Sequence, residues 1–497
     1  MKMNRGSILA ASISLCCFSS AAQAGGFSVT IQSASGGGNA ATGHAMAEDA
    51  SAMFYNPALL SSIEGTQVNT GVAFTHADLS VKNTGSTLGE NTGPLNGFPI
   101  VGTNDEPSTA SNDAEPGGLS ATPSLFYKRD IGAQKKVAFG LGINIPFGVA
   151  TEYDDVSFAR YEGTESGLTT VNINPALSWR ANDKWDFGAG LNLQYGHAIL
   201  AKAIDGALAC GKIAKGAEDK AVVTGSPEDA LNAATLAVAC STTNGALGFT
   251  GYSNAATDSD ISVEASGIAF GANIGAAYHP TKSTTLSFGY RSSVKYDLEG
   301  EADITHKNLA GLGDATLNAS GLGDQDAEAE LELPASASFS FATKMTNALT
   351  VHGDLTWTQW SSMPEIRIVF PDTALADSVT SLDWEDTVRV GAGMTYQLNP
   401  KTKLRAGIAF DPTPTPSAER RTPRAPRSDS YWFSMGASHQ FSKKLGVDAS
   451  LSYIYPEDTT IDYTAPGATD SDPEGYYTSA DVEADAIALA LSVNYKF

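Results

Sequence analysis

The chain has 497 residues, with 31 Lys and Arg against 55 Asp and Glu and a formal net charge of −24. So acidic a chain repels phosphate backbones, which excludes nucleic acid as a partner. After residue 24 no run of about eighteen uninterrupted apolar residues occurs, which excludes a membrane-spanning helix.

The N-terminus comes first in chain order. Lys2 and Arg5 precede the apolar run from Ile8 to Phe18, and Ala22-Gln23-Ala24 offers a small-residue cleavage site. Residues 1–24 therefore read as a secretory signal peptide. Cys16 and Cys17 invite the alternative of a lipid-modified N-terminus, but Leu15 stands where such signals want a small residue. Removing the peptide leaves 29 Lys and Arg against 55 acids, a net charge of −26. Residues 25–65 contain "GHAMAEDASAMFYNPALLSS", in which Ala45 to Tyr55 holds helix formers and Asn56-Pro57 ends the helix. A segment of this length ahead of a barrel either stays outside it or plugs its lumen.

From residue 66 onward the apolar pattern has period two. In "WDFGAGLNLQY", Trp185, Phe187, Leu191, Leu193 and Tyr195 share one face, and Asp186, Gly188, Gly190, Asn192 and Gln194 the other. The closing "IALALSVNYKF" repeats this, with Ile487, Leu489, Leu491, Val493, Tyr495 and Phe497 in phase. Such segments predict strands over 66–81, 119–128, 136–148, 168–179, 185–199, 263–278, 284–299, 331–342, 348–370, 386–397, 403–410, 430–441, 446–455 and 486–497. In the ninth, Leu355 and Trp357 are odd but Ile366, Ile368 and Phe370 even, which calls for a bulge between Gln359 and Pro364.

Short and long connections alternate along this series. Six short turns, most carrying Lys, separate seven long segments. That is the arrangement of fourteen antiparallel strands with both chain ends on the short-turn side, as in an outer-membrane barrel. The polar face is Gly, Ala, Ser and Asn rather than the Lys and Glu of a water-facing sheet. The apolar face therefore meets lipid, and closure satisfies every backbone group. The expected fold is all-β: a 14-stranded antiparallel transmembrane barrel over residues 66–497, plugged by a small helical hatch over residues 25–65, in the outer membrane of a Gram-negative bacterium.

Three loop features need a reading. Cys210 and Cys240 lie in a Gly/Ala/Ser-rich stretch over 200–260 and, in an oxidising compartment, are expected to pair as a loop staple worth roughly 3 kcal/mol. "RRTPRAPR" gathers Arg420, Arg421, Arg424 and Arg427 and suits lipopolysaccharide phosphates or, alternatively, carboxylates. The acid-rich "TDSDPEG" over 469–475 lacks the spacing of a calcium loop and reads as solvated, so no metal is expected. No cofactor is implied, since no phosphate-cradling loop is present.

Parity on the strands also places charges inside the barrel. With Phe288 and Tyr290 outward, Arg291 and Lys295 point into the lumen; the same reasoning turns Arg389 and Arg405 inward. A buried cation needs a partner. That partner is either a ligand carboxylate or a protein acid among Asp297, Asp354, Asp186, Glu48 and Asp49. Arg160, in "FARYEG", is a further candidate for ligand contact.

"EDASAMFYNPALL", "GYRSSVKYDLEGE", "RVGAGMTYQL", "RAGIAFDPTPTP" and the aromatic last strand together resemble the FadL family of outer-membrane transporters, over essentially the whole mature chain. The resemblance implies a monomeric, non-enzymatic barrel that takes up hydrophobic molecules, with long-chain fatty acids as first choice and aromatic or alkane hydrocarbons as the alternative. It also implies contact with membrane lipid, a hatch fixed by Asn56, Pro57 and Ala58, and a ligand contact at Phe27. The inward-kinked third strand of the family has a counterpart in Pro146, Phe147 and Gly148, beside Pro175 on the next strand, and a lateral opening is assigned there. An open porin, a surface receptor, and a lipid hydrolase built on His352 are the competing classes.

Overall fold

A computed structural model describes residues 25–88, 100, 113–246, 255, 258–306, 323–371, 377–465 and 476–497. The signal peptide and the "TDSDPEG" loop lie outside these residues.

Fourteen strands follow one another in antiparallel pairs: β1 Gln67–Asn83, β2 Gly118–Ile131, β3 in two pieces Val137–Asn144 and Gly148–Glu152, β4 Glu165–Arg180, β5 Trp185–Ile204, β6 Ser259–Thr281, β7 Thr284–Arg291 and Val294–Thr305. They continue as β8 Gln325–Leu333 and Ser336–Lys344, β9 Leu349–Thr358 and Glu365–Val369, β10 Thr387–Asn399, β11 Thr402–Asp411, β12 Ser430–Gln440, β13 Leu445–Pro456 and Thr459–Thr464, and β14 Tyr476–Lys496. β1 pairs with β14 from Gln67 opposite Lys496 to Asn83 opposite Ala480, which closes the barrel and leaves no edge.

The last strand shows which face meets what. Ile487, Leu489, Leu491, Val493 and Tyr495 are exposed on the outside, while Ala488, Ala490 and Ser492 are buried inside. The same polarity holds at Leu191, Phe270, Phe288, Phe339, Ile408 and Phe433, forming a lipid-facing band.

Beyond that band the polarity inverts on β6 to β9. At Ser292-Ser293 the ladder between β6 and β7 slips by one residue, from Arg291 opposite Asn273 to Glu299 opposite Ser266. Val294, Tyr296 and Leu298 then point inward and Lys295, Asp297 and Glu299 outward. On β9 the phase change falls at a 3-10 turn, Trp360–Ser362, after which Ile368 and Phe370 are buried inside. These strands thus run on as water-facing sheet with an apolar interior. Lys295, expected in the lumen, is instead on the outer surface, paired with Glu330 at 2.8 Å.

The hatch is less helical than its composition predicts. It holds α1 Ala34–Gly37, α2 Ala52–Tyr55 and a 3-10 turn Pro57–Ser62, with Asn56 Oδ1 accepting from the Ala58 N–H at 2.9 Å. The Asn56 side-chain amide donates to Ser287 Oγ and to the Phe288 and Ala276 carbonyls, so this fully buried residue pins hatch to wall. Small residues on the inner face allow the close approach. A Cβ at Gly275 would fall 1.8 Å from Asn56 Oδ1, and one at Gly407 2.3 Å from the Asn39 backbone. Gly275→Val is expected to unseat the hatch while the barrel still forms, seen as protease cleavage within residues 25–65 and retained heat-resistant barrel on gels.

The stretch read as a loop over 200–260 instead contains two helices, α3 Gly206–Thr224 and α4 Pro227–Ala246. Alanine is the best helix former, and Ser226-Pro227-Glu228-Asp229 is a helix start: the Ser226 carbonyl accepts from Ala230 N, and acids fill the first turn. Cys210 stands on α3 and Cys240 on α4. Their side chains lie outside the described residues.

Candidate functional site

The site is organised by the break in β3. Ile145, Pro146 and Phe147 leave the wall and turn inward, where the N-terminal segment takes them up. Val29 N donates to the Pro146 carbonyl at 2.9 Å, Gly148 N to the Phe27 carbonyl at 2.9 Å, and Gln32 Nε2 to the Ile145 carbonyl at 2.7 Å. Toward β4 the break is bridged, since Phe147 N donates to Thr170 Oγ1 at 3.0 Å and Thr170 Oγ1 to the Phe147 carbonyl at 2.8 Å.

Toward β2 no bridge is found among the described residues. The β2–β3 ladder ends at Leu125 opposite Ile143, and Gly148–Glu152 pairs only with β4. Among the described residues the missing ladder pairs beside the break therefore lie between β2 and β3, whereas the β3–β4 seam, on which the two prolines stand, is bonded across at Phe147 and Thr170. Pro175 points outward and pairs in register with Leu141; the pairs missing near it are on its β5 side, between Ile173 and Ala176. Pro123, which sequence reasoning passed over, stands on β2 just beyond the last β2–β3 pair and, like Pro146, has no backbone donor to offer.

Behind the break is a cavity of about 120 Å³. One side is apolar: Val29, Phe54 and Tyr55 come from the hatch, Pro146 and Phe147 from the kink, and Trp360 from the 3-10 turn of β9. Phe27 packs edge-on to Trp360 and tilted on Trp384 at 4.9 Å, so it lies in the aromatic wall next to the cavity. The other side is the polar inner surface of β7 to β10, with Arg291 and Arg389.

The five basic residues proposed from sequence separate here. Arg291 donates to Asn192 Oδ1 at 2.7 Å and to the Phe54 carbonyl at 2.9 Å and lies over the Phe54 ring, with no carboxylate in ion-pair reach among the described residues. Arg389 donates to the Ala40 carbonyl and is 3.4 Å from Asp411. Arg405 is away from the cavity, buried against hatch Glu48 at 2.6 Å and Asp448 at 3.4 Å. Arg160 is buried in the extracellular loops on Asp258 at 2.7 Å and Tyr161, too far into that network to line the cavity. Lys295, on the outer surface with Glu330, does not reach it either.

The arginine-rich loop is likewise spent within the protein. Arg421 donates to the Thr460 and Arg427 carbonyls, and Arg424 to the Glu165 and Ala201 carbonyls and Ser166. Burial pushes the Arg424 and Arg427 guanidinium groups down to about 10. Only Arg420 is largely exposed, and it pairs with Asp383. Among the described residues, Arg421 and Arg424 are thus turned to protein partners rather than outward.

The hatch carries its own electrostatic latch, which sequence parity could not locate. His44 stacks on Tyr55 at 4.2 Å, with its backbone N–H and that of Gly43 donating to Asp354. Burial lowers the His44 pKa, helped by Arg389 and opposed by Asp354. A depressed imidazole contributes stability above its unfolded value of 6.5 and loses it as pH falls below. Glu48 also sits well below the usual carboxylate range: burial would raise it, but Arg405 and Lys403 outweigh burial. Its contribution is lost only in stronger acid. Hatch docking is thus expected to weaken from about pH 6.5 downward, as read by rising ion conductance, and His44→Gln to flatten that part of the profile. His352, the candidate for hydrolysis, is buried with Nδ1 3.1 Å from Thr42 Oγ1, and that hydroxyl donates its proton to the Asn39 carbonyl at 2.6 Å, so the pair fastens hatch to wall.

A closed barrel with a lipid-facing apolar band, a plug from its own N-terminus and a part-apolar cavity beside a break in one strand defines a class: the plugged outer-membrane transporters of hydrophobic compounds. Comparison places the chain within it. The family described as outer membrane protein transport protein (OMPP1/FadL/TodX) matches residues 15–497, and the chain belongs to that family. It is 26% identical to the long-chain fatty acid transport protein of Escherichia coli, across 92% of this chain and 93% of that one. It is also 26% identical to outer membrane protein P1 of Haemophilus influenzae, across 87% and 86%. A Pseudomonas aeruginosa FadL homologue superposes with a TM-score of 0.78 at 23% identity, covering 95% of this chain and all of that one. The Ralstonia pickettii toluene transporter TbuX gives 0.59 at 18%, covering 93% and 97%. The protein is an outer-membrane transporter and not an enzyme.

Proposed function

We propose that the chain takes up long-chain fatty acids, with the carboxylate received by Arg291 and the acyl chain lying along Phe54, Phe147 and the aromatic wall that includes Phe27. The observation that carries this reading is a buried guanidinium, facing the cavity, that among the described residues has only neutral acceptors. A charge in that position stays uncompensated until an anion arrives. Arg389, half-neutralised by Asp411, is the secondary contact. The name of the Escherichia coli relative agrees with this class of substrate.

Release follows the geometry of the break. A ligand in the cavity touches Pro146 and Phe147, and the unpaired β2–β3 seam beside them leads sideways into the membrane. Movement of residues 25–29, which are bonded to Pro146 and Gly148, would widen that path. Hydrocarbon uptake by the same route is the second reading, favoured by the aromatic wall of Phe27, Trp360 and Trp384. Competition of a fluorescent fatty acid by stearic acid, methyl stearate and an alkylbenzene on the purified protein separates the two. The fatty-acid reading expects the acid to compete about tenfold better than its ester; equal competition by all three contradicts it.

A further inference from the structure

The polar side of the cavity has an order that simple lumen solvation does not require. Strand register aligns two rows across β7, β8, β9 and β10. The first is Arg291, Ser336, Thr358, Thr387; the second is Gly289, Ser338, Thr356, Arg389. All eight residues line the cavity. Each row therefore carries hydroxyls between strands and a guanidinium at one end, with the two arginines at opposite ends.

The five hydroxyls of Ser336, Ser338, Thr356, Thr358 and Thr387 face the cavity, and among the described residues none donates to or accepts from another protein group. An alkyl chain laid on this surface would strip the hydroxyls of water and return no hydrogen bond. A site lined this way favours a ligand with oxygen at matching places and disfavours the analogue lacking it. The apolar side, from Val29, Phe54 and Phe147, faces them across the cavity. The ligand that satisfies both sides is an amphiphile lying flat, with oxygens along one edge.

We infer that the transporter prefers hydroxylated long-chain fatty acids, a conclusion that rests on the carboxylate reading above and narrows it. The carboxylate sits on Arg291 and a mid-chain hydroxyl sits between Ser338 and Thr356. Those strands are one and two inter-strand spacings from β7, and their row lies two residues along the strand from Arg291; about 7 Å across and about 7 Å along puts the hydroxyl about 10 Å from the carboxylate. Arg389, already sharing Asp411, closes the far end and limits how far the oxygenated edge extends.

The test uses the full mature protein in detergent, with four probes displacing one fluorescent fatty acid: stearic acid, a mid-chain hydroxystearic acid, and the methyl ester of each. The expected result is that the hydroxy acid competes about tenfold better than stearic acid. In a Ser338→Ala, Thr356→Val double variant the two acids should compete alike. The wild-type comparison stands by itself if the variant fails to fold. Equal competition by the two acids, both ahead of their esters, overturns the hydroxyl preference and leaves the carboxylate reading intact. Acids no better than their esters overturn the carboxylate reading, and with it the seating of the hydroxyl between Ser338 and Thr356.

Discussion

Arg405→Ala should release the hatch. The substitution leaves half-buried Glu48 and buried Asp448 without the cation that joins them, since Arg405 reaches Glu48 at 2.6 Å and Asp448 at 3.4 Å. Breaking a buried pair from one side costs roughly 3–5 kcal/mol. Lys403 remains on Glu48 at 2.9 Å but is partly exposed, so it offsets little. The barrel ladder is untouched, so the loss falls on hatch seating. Single-channel recording should show a larger and noisier conductance than wild type. The double variant Glu48→Gln, Arg405→Met, which removes both charges, should recover much of the closed state; a double variant as leaky as the single one would show that the pair does not hold the hatch.

Arg291→Gln has the second large effect. The amide keeps a donor toward Asn192 and the Phe54 carbonyl but removes the charge. Charge-assisted bonds to a carboxylate are worth about 1.5–3 kcal/mol, so fatty-acid affinity should fall on the order of tenfold to a hundredfold. Affinity for the methyl ester should change little. Arg389→Gln should act more weakly, because Asp411 already meets part of that charge. Equal losses for acid and ester in Arg291→Gln would assign Arg291 to packing of the hatch.

Strand number, face and closure were legible because they depend on a period-two pattern repeated many times, from Trp185–Tyr195 to Ile487–Phe497. A single misplaced residue cannot overturn such a pattern. The inversion beyond the lipid band was harder. Val294, Tyr296 and Leu298 alternate as well as Phe288 and Tyr290 do, and only the slip at Ser292-Ser293 turns them inward. Lys295 was misplaced for that reason. The outward acids Asp297 and Glu299 were the available sign that this part of the strand faces water.

The site was legible in part. Pro146 marked the break in β3, yet which neighbour loses its ladder depends on pairing across the sheet, and the pairs missing near Pro175 proved to be on the β5 side of β4. Parity brought Arg291, Arg389 and Arg405 inward, but no sequence rule says which one meets Glu48 of the hatch and which meets the cavity. That depends on how residues 25–65 fold inside the lumen. The hydroxyl rows of β8 to β10 were hidden for a related reason: Ser and Thr on an inner face look like ordinary polar lining until register aligns them.

The most direct test of carboxylate capture is a crystal structure of the protein soaked with a terminally brominated long-chain fatty acid, whose bromine marks one end of the ligand. The expected density shows a carboxylate within hydrogen-bond reach of the Arg291 guanidinium, and a chain crossing the cavity toward Phe147 and the unpaired β2–β3 seam. A ligand bound in this cavity with its carboxylate turned away from Arg291 would contradict it.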